Sequence, residues 1–130
     1  MASAGIAAAL QKVRQPFQAN LLAQEAALAA LEDEDHVRRT VEIVDEGRAF
    51  LEAEFKRRKI EYIPSSANFV ILKVDDGQRV FQGLMRRGVI VRPMQGYKLP
   101  AWIRVTVGTQ AQNEMFLMAL EKELAANVKV

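Results

Sequence analysis

The stretch "RRGVIVRPMQGYKLPAWIRVTVGT", residues 86–109, decides the fold of this chain. It contains two apolar runs of strand character, at 89–92 and 102–107, with a loop rich in glycine and proline between them. Each run also carries one arginine, Arg92 in the first and Arg104 in the second. Because a charged side chain is costly in a half-buried strand, the two arginines are either solvated at the surface or placed there to hold an anion.

Alternation along the second run separates its two faces. Successive side chains of a strand point to opposite sides, so Trp102, Arg104 and Thr106 share one face, and the aliphatic residues between and after them share the other. If a helix covers the aliphatic face, Arg104 lies on the opposite face beside a tryptophan. One interpretation is a solvated arginine whose aliphatic stem packs on the indole ring.

The remaining sequence predicts helices around a small sheet. Three helices are predicted first: a weak one at 6–13 that ends before Pro16, an apolar one at 21–32 capped by Asn20, and a long amphipathic one from Asp33 or Asp35 to Lys59. A short extended piece before Pro64 and a core strand from Ala67 to Val74 follow. The next helix is capped by Asp75 or Asp76 and ended by Gly88, and the last helix begins with the capping box of Thr109 and Gln112. Without the weak first helix and the short extended piece, the order is α-α-β-α-β-β-α, which predicts the α+β class, with a mixed or antiparallel sheet of three to four strands covered by helices on one face.

Composition excludes several classes of function. The chain has 130 residues and no cysteine, so disulfides, thiolate metal sites and a thiol nucleophile are impossible, and the cytoplasm is the expected compartment. His36, the only histidine, lies in a charged run and is interpreted as a solvated helix residue, so we expect no metal site. The net charge is +2 with scattered basic residues, and no G-x-x-G clamp is present, which argues against nucleic-acid binding. No apolar stretch is long enough for a membrane span.

The helix at 21–32 is unusual because its leucines and alanines leave almost no polar face. A helix that is apolar all round is normally buried, and a domain of this size has little room to bury one. We therefore expect a covering surface that this sequence does not supply, and self-association of the isolated chain through this helix.

Two arginines without an obvious acidic partner indicate a ligand with two anionic groups. Guanidinium is a rigid fork that matches carboxylate and phosphate in bidentate fashion. The residues alone leave open whether Arg92 and Arg104 are surface charges or an anion clamp. They also leave open a standalone α+β module that senses or binds a small anion.

Four separated motifs resemble one enzyme family. "VRQPFQAN", "SSANFV", "RRGVIVRP" and "IRVTVGTQAQN" are similar to the C-terminal portion of histidinol-phosphate aminotransferases, fold-type I pyridoxal-phosphate enzymes of histidine biosynthesis. The resemblance runs from about Gly5 to Leu124 in unbroken order. It implies amino transfer between histidinol phosphate and 2-oxoglutarate, by a homodimer that acts on small molecules.

The resemblance also implies roles for individual residues. Arg104 would bind the α-carboxylate of the amino-acid substrate, and Arg92 would help to bind the substrate phosphate. Asn68 matches a position of the family and is interpreted as support for the backbone. At Gln18 the sequence departs from the asparagine that is usual in the family.

The family's Schiff-base lysine has no counterpart here, because no lysine of this chain follows a serine in the required context. The aspartate that pairs with the pyridinium nitrogen is also missing, so the resemblance implies no catalytic residue and no bound pyridoxal phosphate in this chain. We expect residues 1–20 to be an expression start and linker segment. Residues 21–130 would be the small C-terminal domain, without the large cofactor-binding domain.

Overall fold

The computed structural model describes residues 3–13 and 19–126, which divide into two compact units, residues 1–37 and 38–130. In the first unit, α1 spans Ala4–Val13 and α2 spans Leu21–Glu32. The Asn20 side chain accepts a hydrogen bond from the Ala23 N–H at 2.8 Å, so the predicted cap of α2 is confirmed. The predicted break at Pro16 and the departure at Gln18 lie outside the described residues.

The helix α3 spans Glu34–Arg57 and runs from the first unit into the second. Asp33 precedes it, and its carboxylate accepts a hydrogen bond from the His36 N–H at 2.9 Å, which settles the cap at Asp33 and not Asp35. The helix ends two residues before the predicted Lys59, because Lys59 has a φ of 57° and turns the chain out of the helix.

The second unit continues with a four-stranded antiparallel sheet and two more helices. Its elements are β1 Tyr62–Ile63, β2 Phe69–Lys73, α4 Gly77–Arg86, β3 Arg92–Pro93, a 3-10 turn at Gln95–Tyr97, β4 Trp102–Thr106 and α5 Gln110–Ala125. The strand order is β1-β2-β4-β3, so β2 and β4 are central and the two-residue strands β1 and β3 form the edges. The predicted α+β class and element order are confirmed.

One hydrophobic core joins the sheet to its helices. It combines buried residues of β2 and β4 with residues from the second half of α3 and from α4 and α5: Leu51, Phe55, Val70, Leu72, Val80, Leu84, Ile103, Val105, Phe116, Leu117 and Leu120. Phe55 lies at its centre, with ring centroids 5.8 Å from Tyr62 and 6.4 Å from Phe116. Ile103, Val105 and Val107 are all buried, so the predicted alternation in β4 is confirmed.

The local helix signals are also confirmed. The Asp76 carboxylate accepts hydrogen bonds from the Gln78 and Arg79 N–H groups at 3.0 Å. Gly88 has a φ of 79°, the left-handed conformation that a C-terminal cap requires. The capping box at Thr109 is present, with the Thr109 N–H bonded to the Gln112 side chain at 2.9 Å.

The predicted strand at 89–92 is wrong over most of its length. Only Arg92 and Pro93 pair with β4. Val89 is held by the preceding helix instead, because its N–H donates to the Leu84 carbonyl at 3.0 Å, and both Val89 and Val91 are buried in the core. The apolar run therefore reflects burial of a helix exit and not strand pairing. The strands predicted at 67–74 and 102–107 are each shorter in the structure, at Phe69–Lys73 and Trp102–Thr106.

Within the described ranges, no helix is long and apolar enough to cross a membrane.

Candidate functional site

The sheet register brings the two arginines together. Arg92 on β3 and Arg104 on β4 are direct cross-strand partners, and Arg104 is in turn opposite Ile71 on β2. Directly opposed side chains lie on the same face with their Cβ atoms about 5 Å apart. Because Ile103 and Val105 point into the core, the arginines lie on the face of the sheet that points away from that core.

The pair places two like charges opposite each other, which by itself is destabilising. Over residues 3–13 and 19–126, neither arginine forms an ion pair with an acidic side chain. The Nε atom of Arg104 is buried and has no hydrogen-bond partner in this part of the chain. A buried donor without an acceptor carries a desolvation cost that an anionic ligand would offset.

Each guanidinium instead lies near one aromatic ring. The Cζ atom of Arg104 is 4.7 Å from the centre of the Phe69 ring, and the Cζ atom of Arg92 is 5.4 Å from the centre of the Tyr97 ring. Both distances fall within the range of cation–π contacts. A guanidinium that stacks on a ring keeps its N–H donors directed outward in its own plane, where they do not compete with the ring contact.

The ring of Trp102 lies near a cation other than the Arg104 guanidinium. It shares a face with Arg104, but the cation near its ring is Lys73, whose Nζ atom is 5.9 Å from the ring centre. Lys73 also forms an ion pair of 2.7 Å with Glu61. The register places Trp102 directly opposite Lys73, and it gives Arg104 two diagonal neighbours on β2, Phe69 and Lys73.

Asn68 lies immediately before β2. Its carbonyl accepts a hydrogen bond from the Val107 N–H at 2.8 Å, which extends the β2–β4 ladder by one step beyond Phe69. Its side chain is exposed. The preceding residue, Ala67, is held by α3, because the Arg48 guanidinium donates to the Ala67 carbonyl at 3.4 Å.

The connection between β3 and β4 is held by backbone contacts with the start of α4. The Gly77 N–H donates to the Pro100 carbonyl at 2.8 Å, and the Val74 N–H donates to the Ala101 carbonyl at 2.7 Å. The Met94 N–H donates to the Trp102 carbonyl at 3.0 Å, which continues the ladder of the two arginine-bearing strands. These bonds keep Arg92 and Arg104 in register.

A covalent pyridoxal-phosphate site does not fit the described residues. Such a site needs a lysine amine beside the cofactor, whereas the lysines of the described ranges are all exposed: Lys12, Lys56, Lys59, Lys73, Lys98 and Lys122. Lys73, which shares the arginine face, is engaged by Glu61. The same ranges contain no group of three or more acidic or histidine side chains that could hold a metal ion.

Reasoning from the sequence did not identify Phe69 and Tyr97. Period-two alternation puts Phe69 on one face of β2, but its contact with Arg104 depends on the register between strands about 35 residues apart in the chain. Tyr97 depends on the shape of the loop after β3. A weak signal existed, since aromatic residues near an unpartnered arginine are candidates for cation–π contacts.

Three comparisons with known proteins bear on the family and the fold of this chain. The family model described as aminotransferase class I and II matches residues 1–120. A histidinol-phosphate aminotransferase of Akkermansia muciniphila is 52% identical over 115 residues, which cover 88% of this chain and 32% of that protein. The chain thus spans about a third of the length of the curated relatives it matches.

Solved structures show the same fold. A histidinol-phosphate aminotransferase of Sinorhizobium meliloti, solved in complex with pyridoxal-5'-phosphate, matches with a TM-score of 0.77 and 22% identity over 95% of this chain and 35% of that one. An aspartate aminotransferase of Thermotoga maritima matches with a TM-score of 0.76 and 23% identity over 96% of this chain and 34% of that one. The family model and the sequence relatives agree, and the fold is compatible with both. This chain belongs to the aminotransferase class I and II family.

Proposed function

We propose that this chain supplies the anion-binding half of the substrate site of a pyridoxal-phosphate-dependent aminotransferase, one that transfers an amino group between histidinol phosphate and 2-oxoglutarate in histidine biosynthesis. The observation that carries the proposal is the directly opposed pair Arg92 and Arg104, which has no acidic partner in the described ranges. The high identity to histidinol-phosphate aminotransferases supports the choice of substrate.

In this proposal the two arginines have separate tasks. Arg104 binds the α-carboxylate of glutamate or 2-oxoglutarate, since its half-buried position and its unpartnered Nε suit a bidentate, charge-assisted contact. Arg92 is more exposed and binds the phosphate of histidinol phosphate. Asn68 supports the site through its backbone bond to Val107. The covalent chemistry belongs to residues outside this chain.

The proposal extends to the whole enzyme, of which this chain matches about a third. We infer a homodimer in the cytoplasm, with the cofactor held by a large domain that this sequence does not contain. The absence of cysteine is compatible with a reducing compartment.

A chimeric enzyme tests the proposal. The matching third of the Akkermansia muciniphila enzyme is replaced by this chain, and the two half-reactions are measured separately with glutamate and with histidinol phosphate. We expect transamination of both substrates. Removing one charged hydrogen-bonding group costs a factor of about 10 to 100, so Arg104→Gln should lower kcat/KM for glutamate by that factor, and Arg92→Gln should do so for histidinol phosphate.

Arg86→Gln provides the matched control, because Arg86 is an exposed arginine in the last turn of α4 and not on the sheet. It should leave both half-reactions unchanged. A chimera that folds and binds its cofactor but transaminates neither substrate would contradict the proposed function. Tight binding of inorganic phosphate or glutamate to the 130-residue chain alone, measured by calorimetry, would favour an independent anion-binding module instead.

A further inference from the structure

The Arg104 guanidinium lacks the usual means of fixing an arginine. In the described ranges it has no carboxylate partner, and the residue directly opposite, Arg92, repels it. A long, flexible side chain in that situation would occupy many rotamers, and ordering it upon ligand binding would cost affinity. A contact that fixes the guanidinium before the ligand binds would lower this cost.

Phe69 is positioned to provide that contact. It is paired with Thr106, two residues along β4 from Arg104 and on the same face, so the two side chains are diagonal neighbours. The ring centre is 4.7 Å from the Arg104 Cζ atom, and both residues are half-buried, which strengthens a cation–π contact relative to one in open solvent.

A ring is also a better support for this arginine than an acid would be. A carboxylate would bind the N–H edge of the guanidinium and would compete with the substrate for the same donors. An aromatic ring on which the guanidinium stacks contacts its flat face and leaves the donors in the plane unoccupied. The Nε of Arg104, buried and without a protein acceptor in the described ranges, is compatible with a guanidinium held by its face.

The contact between Tyr97 and Arg92 is less constrained. Tyr97 lies on the 3-10 turn and is 58% exposed, and the arginine beside it is exposed too. Phe69, by contrast, belongs to the central strand β2 and is paired there with Thr106 of β4, while β1 pairs with the same strand further along, at Ile71 and Leu72. Because strand pairing fixes the backbone of Phe69, the position of its ring is restricted. A guanidinium that contacts the ring is restricted in turn.

We propose that Phe69 is a positioning residue for Arg104, and that its ring fixes the guanidinium by its face so that the N–H edge is directed to a carboxylate of the substrate. The identity of the ligand rests on the proposed function. The contact between ring and guanidinium does not, and can be tested on the chain by itself.

The first test uses nuclear magnetic resonance on the 130-residue chain. The ring current of Phe69 should shift the Arg104 Nε–Hε signal upfield of an unstacked arginine. Phe69→Leu should abolish the shift, Phe69→Tyr should retain it, and Tyr97→Leu should leave it unchanged. The methyl signals of buried core residues report whether each variant is folded. An Arg104 signal that is the same in folded Phe69→Leu and in the unaltered chain would overturn the proposal.

The second test uses the chimeric enzyme described above. Losing a partly desolvated cation–π contact corresponds to a factor of about three to ten, so Phe69→Leu should raise KM for glutamate by that factor, and Phe69→Tyr should restore it. Equal losses in Phe69→Leu and Phe69→Tyr would refute positioning by the ring. If the chimera is inactive while the spectroscopic signature behaves as expected, the proposed function fails and the positioning of Arg104 stands.

Discussion

Replacing Gly77 with alanine should destabilise the domain at the point where α4 begins. A Cβ atom built on Gly77 would lie 2.6 Å from the Trp102 carbonyl oxygen and 2.8 Å from that of Pro100, both closer than real Cβ contacts. These are backbone atoms at the start of β4, so no side-chain rotation can relieve the overlap. The strand that carries Arg104 would have to move away from α4.

The expected loss follows from three contributions. Overpacking at a buried site costs about 1–3 kcal/mol. The hydrogen bonds from Gly77 to Pro100 and from Met94 to Trp102 would weaken, at about 1 kcal/mol each if lost. Alanine regains up to about 1 kcal/mol, because glycine is a poor helix residue. The net effect is a loss of about 2–3 kcal/mol, which lowers the melting temperature of a unit the size of residues 38–130 by about 8–24 °C.

Gly96→Ala is the matched control, since Gly96 lies in the β3–β4 connection that Gly77 contacts, and a Cβ atom there would meet nothing within 4 Å. It should be neutral or stabilising by up to about 1 kcal/mol. Urea unfolding followed by circular dichroism measures both variants. If Gly77→Ala is as stable as Gly96→Ala, the close approach of α4 to β4 has no energetic significance and the reasoning is refuted.

Three further predictions concern other parts of the chain. Hydrogen bonds from Arg57, the last residue of α3, and from Arg58, which follows it, lower the pKa of Glu54 from 4.5 to about 2. The stabilisation from Glu54 is therefore fully present above pH 4.5 and is lost as the pH falls toward 2. The difference in unfolding free energy between the unaltered chain and Glu54→Gln should shrink over that range, and a constant difference would contradict the assignment. Asn113→Leu should cost about 2–4 kcal/mol in urea unfolding, because the buried Asn113 side chain bonds both the N–H and the carbonyl of Gly108, and a loss under 1 kcal/mol would count against this. Sedimentation should show self-association through α2, where Leu22 and Leu31 are each 80% exposed, and Leu22→Glu should reduce it; a clean monomer at high concentration would argue against this surface.

Features that depend on neighbouring residues were predicted well from the sequence. The caps at Asn20, Asp76 and Thr109 and the left-handed Gly88 involve hydrogen bonds or backbone angles within a few positions, so the local residues determine them. The prediction that alternate residues of β4 are buried was also correct, because the two-residue period of a strand is a local property.

Features that depend on pairing between distant segments were not predictable in the same way. The sequence suggested that Arg92 and Arg104 lie near one end of the sheet, but their direct opposition depends on how the loop between them closes. The contact of Arg104 with Phe69 depends on the register of β2 against β4. Val89 was assigned to a strand because an apolar run looks the same whether it pairs with a strand or packs on a helix exit.

The two short edge strands determine how this sheet can meet other chains. β1 and β3 each contain two residues, Pro64 follows β1 directly, and β3 ends in Pro93. Proline has no N–H to offer an incoming strand, and a two-residue strand gives too short a template for one. Growth of the sheet from molecule to molecule, the route by which open sheets form fibrils, is therefore blocked at both sides. Although apolar leucines are exposed on α2, self-association of this chain should give helix-mediated oligomers that dissociate on dilution, and not cross-β fibres.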